Sequence, residues 1–184
     1  MGKFQFEEMS LPGVFCVTPT LYGDERGYFM ETYHQQEFCA GGIAAVFVQD
    51  NQSKSRRGVL RGLHFQVEHP QAKLVRVISG EVFDVAVDIR KHSATFGKWV
   101  GVRLSAENHK QFFLPRGMAH GFFVLSETAE FTYKCDEFYH PEDEGGIRWD
   151  DPEIGIEWPL NEIAPLLSEK DLKHAGLSGY FKSK

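Results

Sequence analysis

Short apolar runs, punctuated by Gly, Pro, Asn or Ser clusters at hairpin-like intervals, dominate the chain from residue 45 to residue 135. The pattern predicts strands at 45–49, 58–65, 73–79, 81–88, 98–104, 111–114, 120–124 and 130–135. Val14-Phe15-Cys16-Val17-Thr18 reads as an earlier strand, entered through Pro12-Gly13 and left at Pro19. Between these, 35–42 reads as a short helix, because Phe38 is flanked by polar residues and Gly41-Gly42 would end it. So regular a series, without long amphipathic helices between the runs, suits an all-β double-sheet jelly roll better than a parallel α/β sheet. Beyond residue 140 the pattern changes. Pro141, Pro152, Pro159 and Pro165 interrupt any regular strand, while Trp149, Ile154, Ile156, Trp158, Leu166 and Leu167 supply apolar anchors. A C-terminal extension wrapping the barrel is expected, and with no internal repeat or low-complexity linker, residues 1–184 read as one domain.

Composition narrows the class of partner. The 184 residues are 42% hydrophobic and 14% aromatic, enough for one substantial core, and 16 Phe with 18 Gly favour strands joined by tight turns. Net charge is −6 and no basic block is denser than Lys54-Ser55-Arg56-Arg57, which gives little electrostatic support to a nucleic-acid or anionic-membrane surface. A local cationic pocket for a small anion remains compatible with that balance. The sequence shows no charged-then-apolar leader pattern and no run near the roughly 20 apolar residues of a membrane span. Cys16, Cys39 and Cys135 are odd in number and lack Cys-x-x-Cys spacing, so reduced thiols in the cytoplasm are expected.

One stretch carries more chemistry than the rest. Leu60-Arg61-Gly62-Leu63-His64-Phe65-Gln66, with Lys73 shortly after, sets two cations and an imidazole in an apolar strand, where desolvation makes idle polar groups costly. An imidazole titrates near neutrality and can serve as a base. Lys73 shares strand parity with Val75 and Val77, so it faces either the core or a lined pocket. Arg61 and His64 are three apart and would point to opposite faces of a regular strand; Gly62 must permit a bulge or twist for both to reach one site. Taken singly, His64 reads as a core histidine, Lys73 as a solvent-facing lysine, Tyr133 as a core aromatic and Tyr139 equally as a surface tyrosine or a stacking one.

The stretch follows Gln49-Asp50-Asn51 and precedes Lys73-Leu74-Val75-Arg76-Val77-Ile78 and Ser79-Gly80-Glu81-Val82. With Asp24-Glu25-Arg26-Gly27-Tyr28-Phe29, Pro115-Arg116-Gly117-Met118-Ala119-His120-Gly121 and Ser168-Glu169-Lys170-Asp171, it resembles the nucleotide-sugar epimerases of the cupin superfamily, specifically the dTDP-4-dehydrorhamnose 3,5-epimerases, from about Gly13 to Asp171. The resemblance implies a cupin jelly roll and proton transfer at C3 and C5 of a dTDP-4-keto-6-deoxy sugar. The product would be dTDP-4-dehydro-L-rhamnose, in dTDP-L-rhamnose biosynthesis. It implies His64 as base, Asp171 as the carboxylate orienting it, Lys73 as enolate stabiliser assisted by Arg61, and Tyr133 as acid. It further implies that Arg26, Phe29, Glu31, Gln49, Asp50, Asn51, His120, Tyr139, Glu144 and Lys170 hold the nucleotide sugar together with Arg61 and Lys73, and that Tyr139 stacks on the thymine. Asp84 and Asp88, in an apolar strand, would pair with such cations. A homodimer whose N-terminal strands exchange is also implied, so that Arg26 or Glu31 would reach a partner's pocket.

Three rivals remain at this level. A 3-epimerase or ketoisomerase of a related dTDP-deoxysugar pathway would keep the base and nucleotide pocket. A non-catalytic carbohydrate-binding jelly roll would need the aromatics but not the combination of His64, Lys73, Tyr133 and Asp171. A metal-dependent cupin would use Pro115-x-Gly117-x-x-His120, yet where a second imidazole is wanted this chain has Gln66, and His64 with His120 alone make a poor ligand set. Metal-free chemistry with no cofactor is therefore expected.

Overall fold

The computed structural model describes residues 2–182. Thirteen strands among them follow the chain as β1 (Phe4–Glu8), β2 (Phe15–Pro19), β3 (Tyr22–Asp24), β4 (Gly27–Phe29), β5 (Gln49–Arg56), β6 (Leu60–Gln66), β7 (Lys73–Ser79), β8 (Glu81–Asp88), β9 (Trp99–Ser105), β10 (Gln111–Leu114), β11 (Met118–Val124), β12 (Thr128–Cys135) and β13 (Glu144–Gly146). Helix α1 (Gln35–Ala40) lies between β4 and β5, and α2 (Leu177–Lys182) follows β13. Two antiparallel sheets, ordered β1-β2-β10-β7-β12-β5 and β13-β6-β11-β8-β9, form the jelly roll, and β3 and β4 make a separate hairpin.

Period-two alternation builds the layers. Val75 and Val77 of β7 and Phe131 of β12 turn inward to meet Val82, Ala86, Phe122 and Val124 of the facing sheet. The alternate residue Leu74 packs outward with Phe4, Val17, Phe38 and Phe113 beneath α1. The outer face of the five-stranded sheet would be left wet were it not for the tail. Ile154, Ile156, Trp158 and Leu177 cover Leu63, Val85 and Val87 there, each buried side chain contributing about 1.5–3 kcal/mol. Leu60 N–H donates to Leu166 O at 3.0 Å and Leu166 N–H to Gly58 O at 2.7 Å, which ties the extension along β6. No helix among the described residues is long and apolar enough to cross a membrane.

The strand expected at 45–49 is misplaced: β5 begins at Gln49 and runs through a polar segment where the apolar pattern predicts no strand. Its backbone pairs with β12 in eight successive rows, Gln49↔Cys135 to Arg56↔Thr128. As an edge strand with a solvated outer face, it needs backbone partners more than apolar side chains. The short strands β1, β3, β4 and β13 also escape an apolar-run reading, because three to five mostly polar or glycine-rich residues carry little pattern.

Gly62 does what its position demands. Opposite β11, His120 pairs with His64 and Phe122 with Arg61, so three steps on β6 match two on β11 and an extra residue bulges. Gly62 has φ +127°, and a Cβ there would lie 2.5 Å from Gly121 Cα and 2.8 Å from His120 O. Only glycine fits, and the bulge brings Arg61 onto the side of β6 that His64 faces.

Candidate active site

A cavity of about 380 Å³ opens between the sheets at the end where β5 and β13 form their edges, lined by Gln49, Asn51, His64, Lys73, Tyr133 and Glu144 among others. His64 also borders a second hollow of about 280 Å³, with Arg61, Leu167, Ser168, Lys170 and Asp171. His64 thus stands in the wall between two openings, on the five-stranded sheet. Lys73 and Tyr133 reach the cavity from the six-stranded sheet opposite.

The tail supplies the partner of His64. Its Nε2 lies 2.5 Å from Asp171 Oδ1, and Ser168 Oγ–H donates to Asp171 Oδ2 at 2.8 Å. Asp171 is 3% exposed, and burial pushes its carboxyl up, but the hydrogen bonds from His64 and Ser168 outweigh burial and hold it below the ordinary carboxylate value. An ionised carboxylate only accepts, so His64 Nε2 carries the hydrogen and the lone pair resides on Nδ1. The geometry therefore prepares an imidazole with one nitrogen anchored and the other able to take a proton.

Burial lowers the pKa of Lys73, against the opposing pull of Cys135, Glu144 and Asp84. Its Nζ sits 5.8 Å from the Tyr133 ring centroid, and no ion pair to it occurs among the described residues. An ammonium with no counter-ion, partly withdrawn from water, acts more strongly on a developing oxyanion than one in bulk water. Burial raises the Tyr133 phenol, Arg61 pulling the other way, so the phenol stays protonated at neutral pH. Arg61 Nε and Nη2 donate to Ser55 Oγ across the gap between the sheets, at 3.3 and 3.2 Å.

At the rim, Tyr139 O–H donates to Glu144 Oε2 at 2.6 Å, which raises the phenol to about 12, and Lys170 Nζ meets the same oxygen at 2.5 Å. Burial pushes the Glu144 carboxyl up, yet Lys170 and Tyr139 together draw it below its usual value. Half of Tyr139 remains exposed, open to a planar ligand. Gln49 Nε2–H donates to Asn51 Oδ1 at 3.0 Å, while Gln49 Oε1 accepts from Tyr139 N–H at 2.9 Å.

Six expected contacts lie elsewhere. Asp50 has the opposite parity to Gln49 and Asn51, so it turns to the outer face and pairs with Lys134 at 2.6 Å. Arg26, 85% exposed, is paired with Asp24 in the β3–β4 hairpin, where Phe29 is also exposed. Glu31 pairs with Lys3. None of these three lines the chain's own cavity. His120 lies beneath it, its Nε2 3.0 Å from both oxygens of the fully buried Asp84 and its ring stacked on Phe131. Asp88 faces neither opening: its carboxylate accepts from Arg90, Ser93 and Thr95 and pins the turn after β8.

Several contributors were not legible in the sequence. Gln66, which reads as a failed metal ligand, donates to His69 O and Phe138 O and accepts from His140 N–H, so it fixes the loop carrying Tyr139. Ser55 and Ser168 anchor Arg61 and Asp171, and His174 lies beside Asp171 at 3.8 Å. Small hydroxyls leave no pattern in a sequence; the role of Ser55 arises when β5 faces β6, and that of Ser168 when the tail closes over β6.

Comparison with known proteins gives a consistent answer. The family model for dTDP-4-dehydrorhamnose 3,5-epimerase matches residues 8–179. Over 172 residues, 93% of each chain, this protein is 59% identical to the dTDP-4-dehydrorhamnose 3,5-epimerase of Methanothermobacter thermautotrophicus. It is 58% identical over 164 residues to that of Pseudomonas aeruginosa, covering 89% of this chain and 90% of the relative. A solved structure of the Legionella pneumophila dTDP-6-deoxy-D-glucose-3,5-epimerase, in complex with dTDP-4-keto-L-rhamnose, superposes with a TM-score of 0.92 at 50% identity over 95% of this chain and 93% of the other.

Proposed function

We propose, since the chain belongs to the dTDP-4-dehydrorhamnose 3,5-epimerase family, that its inter-sheet cavity inverts C3 and C5 of dTDP-4-dehydro-6-deoxy-D-glucose to give dTDP-4-dehydro-L-rhamnose. The 4-ketone acidifies both neighbouring carbons, so one base can serve two successive inversions once exchange with solvent has taken the proton from His64 and returned one to Tyr133. His64 Nδ1 takes the proton, and Asp171 stabilises the resulting imidazolium through Nε2–H. Negative charge moves to the ketone oxygen, where Lys73 stabilises the enolate with help from Arg61. Tyr133 then returns a proton to the carbon.

The observation that carries this reading is the opposition of base and acid. His64 projects from β6 and Tyr133 from β12, on the two walls of one cavity. A proton removed on one face of a planar enolate and returned on the other inverts the carbon. The sugar occupies the cavity with Gln49, Asn51 and Glu144 around it, and the nucleotide extends over the exposed face of Tyr139. His120 acts from beneath, as the partner of Asp84, and Lys170 holds Glu144 in place. Three unpaired thiols, two of them buried, support a reducing, cytoplasmic setting.

The test is NMR in D₂O with the dTDP-4-keto-6-deoxy-D-glucose substrate. Solvent deuterium is expected at both C3 and C5, with product trapped by an NADPH-dependent reductase. Label at C3 alone would make the protein a 3-epimerase, and binding without exchange would leave a carbohydrate-binding module.

The reading extends to a homodimer. Arg26 and Phe29, on a projecting hairpin that also exposes Tyr22 and Tyr28, are free to enter a second copy's cavity, where a guanidinium suits a diphosphate. Two inactive variants, Arg26→Ala and His64→Asn, should regain activity when mixed and re-equilibrated, because one site of each mixed dimer is intact. An active monomer, or no recovery in a mixture shown to contain mixed dimers, sinks the idea.

A further inference from the structure

We propose that His64, Asp171 and His174 form an inhibitory site for a zinc-class divalent cation. The three residues each offer one donor atom, and these atoms lie within 4.8 Å of one another. His174 is the member without another task. Its Nε2 is buried and has no hydrogen-bond partner among the described residues, and Asp171 Oδ1 lies 3.8 Å away, beyond hydrogen-bonding reach. A buried polar atom left unsatisfied is costly, and a ligand is one of the things that explains it.

The ring is also held in place. It lies flat against Gly146, where an added Cβ would come within 2.2 to 2.5 Å of three of its atoms. Two imidazole nitrogens and a carboxylate oxygen are ligands that Zn²⁺ accepts. Tetrahedral coordination at about 2.0–2.2 Å separates ligand atoms by roughly 3.3 Å. His64 and Asp171 would therefore part slightly from 2.5 Å while His174 closes from 3.8 Å. The hollow bounded by Arg61, Ser168 and Lys170 gives water access for a fourth ligand. The ammonium of Lys170, which would repel a cation, is offset by its pairing with Glu144.

Occupancy disables the base without touching substrate. A neutral imidazole has one N–H; when the metal takes the Nε2 lone pair, the proton that Nε2 donated to Asp171 is relocated through solvent to Nδ1. No proton is gained or lost overall, but the nitrogen that should accept the C3 or C5 proton now carries one. Binding of the cation is independent of the epimerase reading, whereas inhibition rests on it.

The test compares the natural chain with His174→Gln, which keeps a polar side chain of similar reach, using chelator-treated protein. Calorimetric titration with Zn²⁺ and visible absorption with Co²⁺ measure binding, and substrate turnover measures inhibition. One cation per chain is expected. His174→Gln should weaken it by at least about tenfold, since even partners outside the ligand set change affinity by that much, and should raise the inhibitory zinc concentration in step, each protein being compared with its own metal-free turnover. Equal affinity in the two proteins, or a thiolate charge-transfer band in the cobalt spectrum at one equivalent, overturns the site. Should His64→Asn prove fully active, the epimerase mechanism fails while a His174-dependent cation site still stands.

Discussion

Replacing His64 with Asn is expected to lower kcat by about 10²- to 10⁴-fold, the usual worth of a general base. Asn retains a polar side chain in the same wall and can still donate to Asp171, so folding and nucleotide binding should survive, and KM should change far less than kcat. The informative readout is isotopic. If Nδ1 of His64 serves both carbons, deuterium wash-in at C3 and at C5 must fall together. Survival of exchange at one carbon would reveal a second base and overturn the single-base reading. Thermal melting alongside the assay separates loss of chemistry from loss of structure, because His64 lines an opening and is 29% exposed.

The same residue shows how far strand parity carries and where it stops. Lys73 falls with Val75 and Val77 on an inward face, because β7 is regular and its two faces alternate between Leu74 outside and Val75 inside. Arg61 and His64 needed the further condition of an extra residue at Gly62, and β6 meets it. Asp50 fails for the complementary reason. The resemblance groups three successive residues, Gln49, Asp50 and Asn51, whereas a strand starting at Gln49 sends the middle one outward. The apolar pattern could not reveal β5, whose stability comes from its ladder to β12.

Contacts made by the tail were illegible for a different reason. Asp171 sits 107 residues from His64 in sequence, and what joins them is the pairing of Leu166 with Gly58 and Leu60 and the anchoring of Trp158 and Leu177 on the outer sheet. Resemblance could name Asp171, but nothing in the local sequence announces Ser168 or His174. Arg26, Phe29 and Glu31 mark the remaining boundary: one chain folds completely without bringing them to its cavity.

Lys73 carries the other large effect, and it joins catalysis to stability. Lys73→Met should reduce kcat by about 10²- to 10³-fold, the cost of removing one donor aimed at a developing oxyanion. The ammonium must be charged to act, and burial sets its pKa below the ordinary lysine value, while the Tyr133 phenol is displaced upward. Activity should accordingly fall as pH rises through the lowered Lys73 value, before Tyr133 deprotonates. In Lys73→Arg that alkaline limb should move to higher pH, since a guanidinium keeps its charge; an unmoved limb would assign it to another group. The linkage to folding has the opposite sign. A lysine whose pKa is lower folded than unfolded binds its proton less readily in the native state, so charging it costs stability. That cost is fully present below the folded value and disappears as pH rises through the unfolded value near 10.4. Lys73→Met should therefore melt at a higher temperature than the natural chain at neutral pH, with the gain shrinking in alkaline buffer. A variant both slower and more stable is what a partly buried cation kept for its effect on an enolate requires, and a Met variant that is slower but less stable at neutral pH would count against that role.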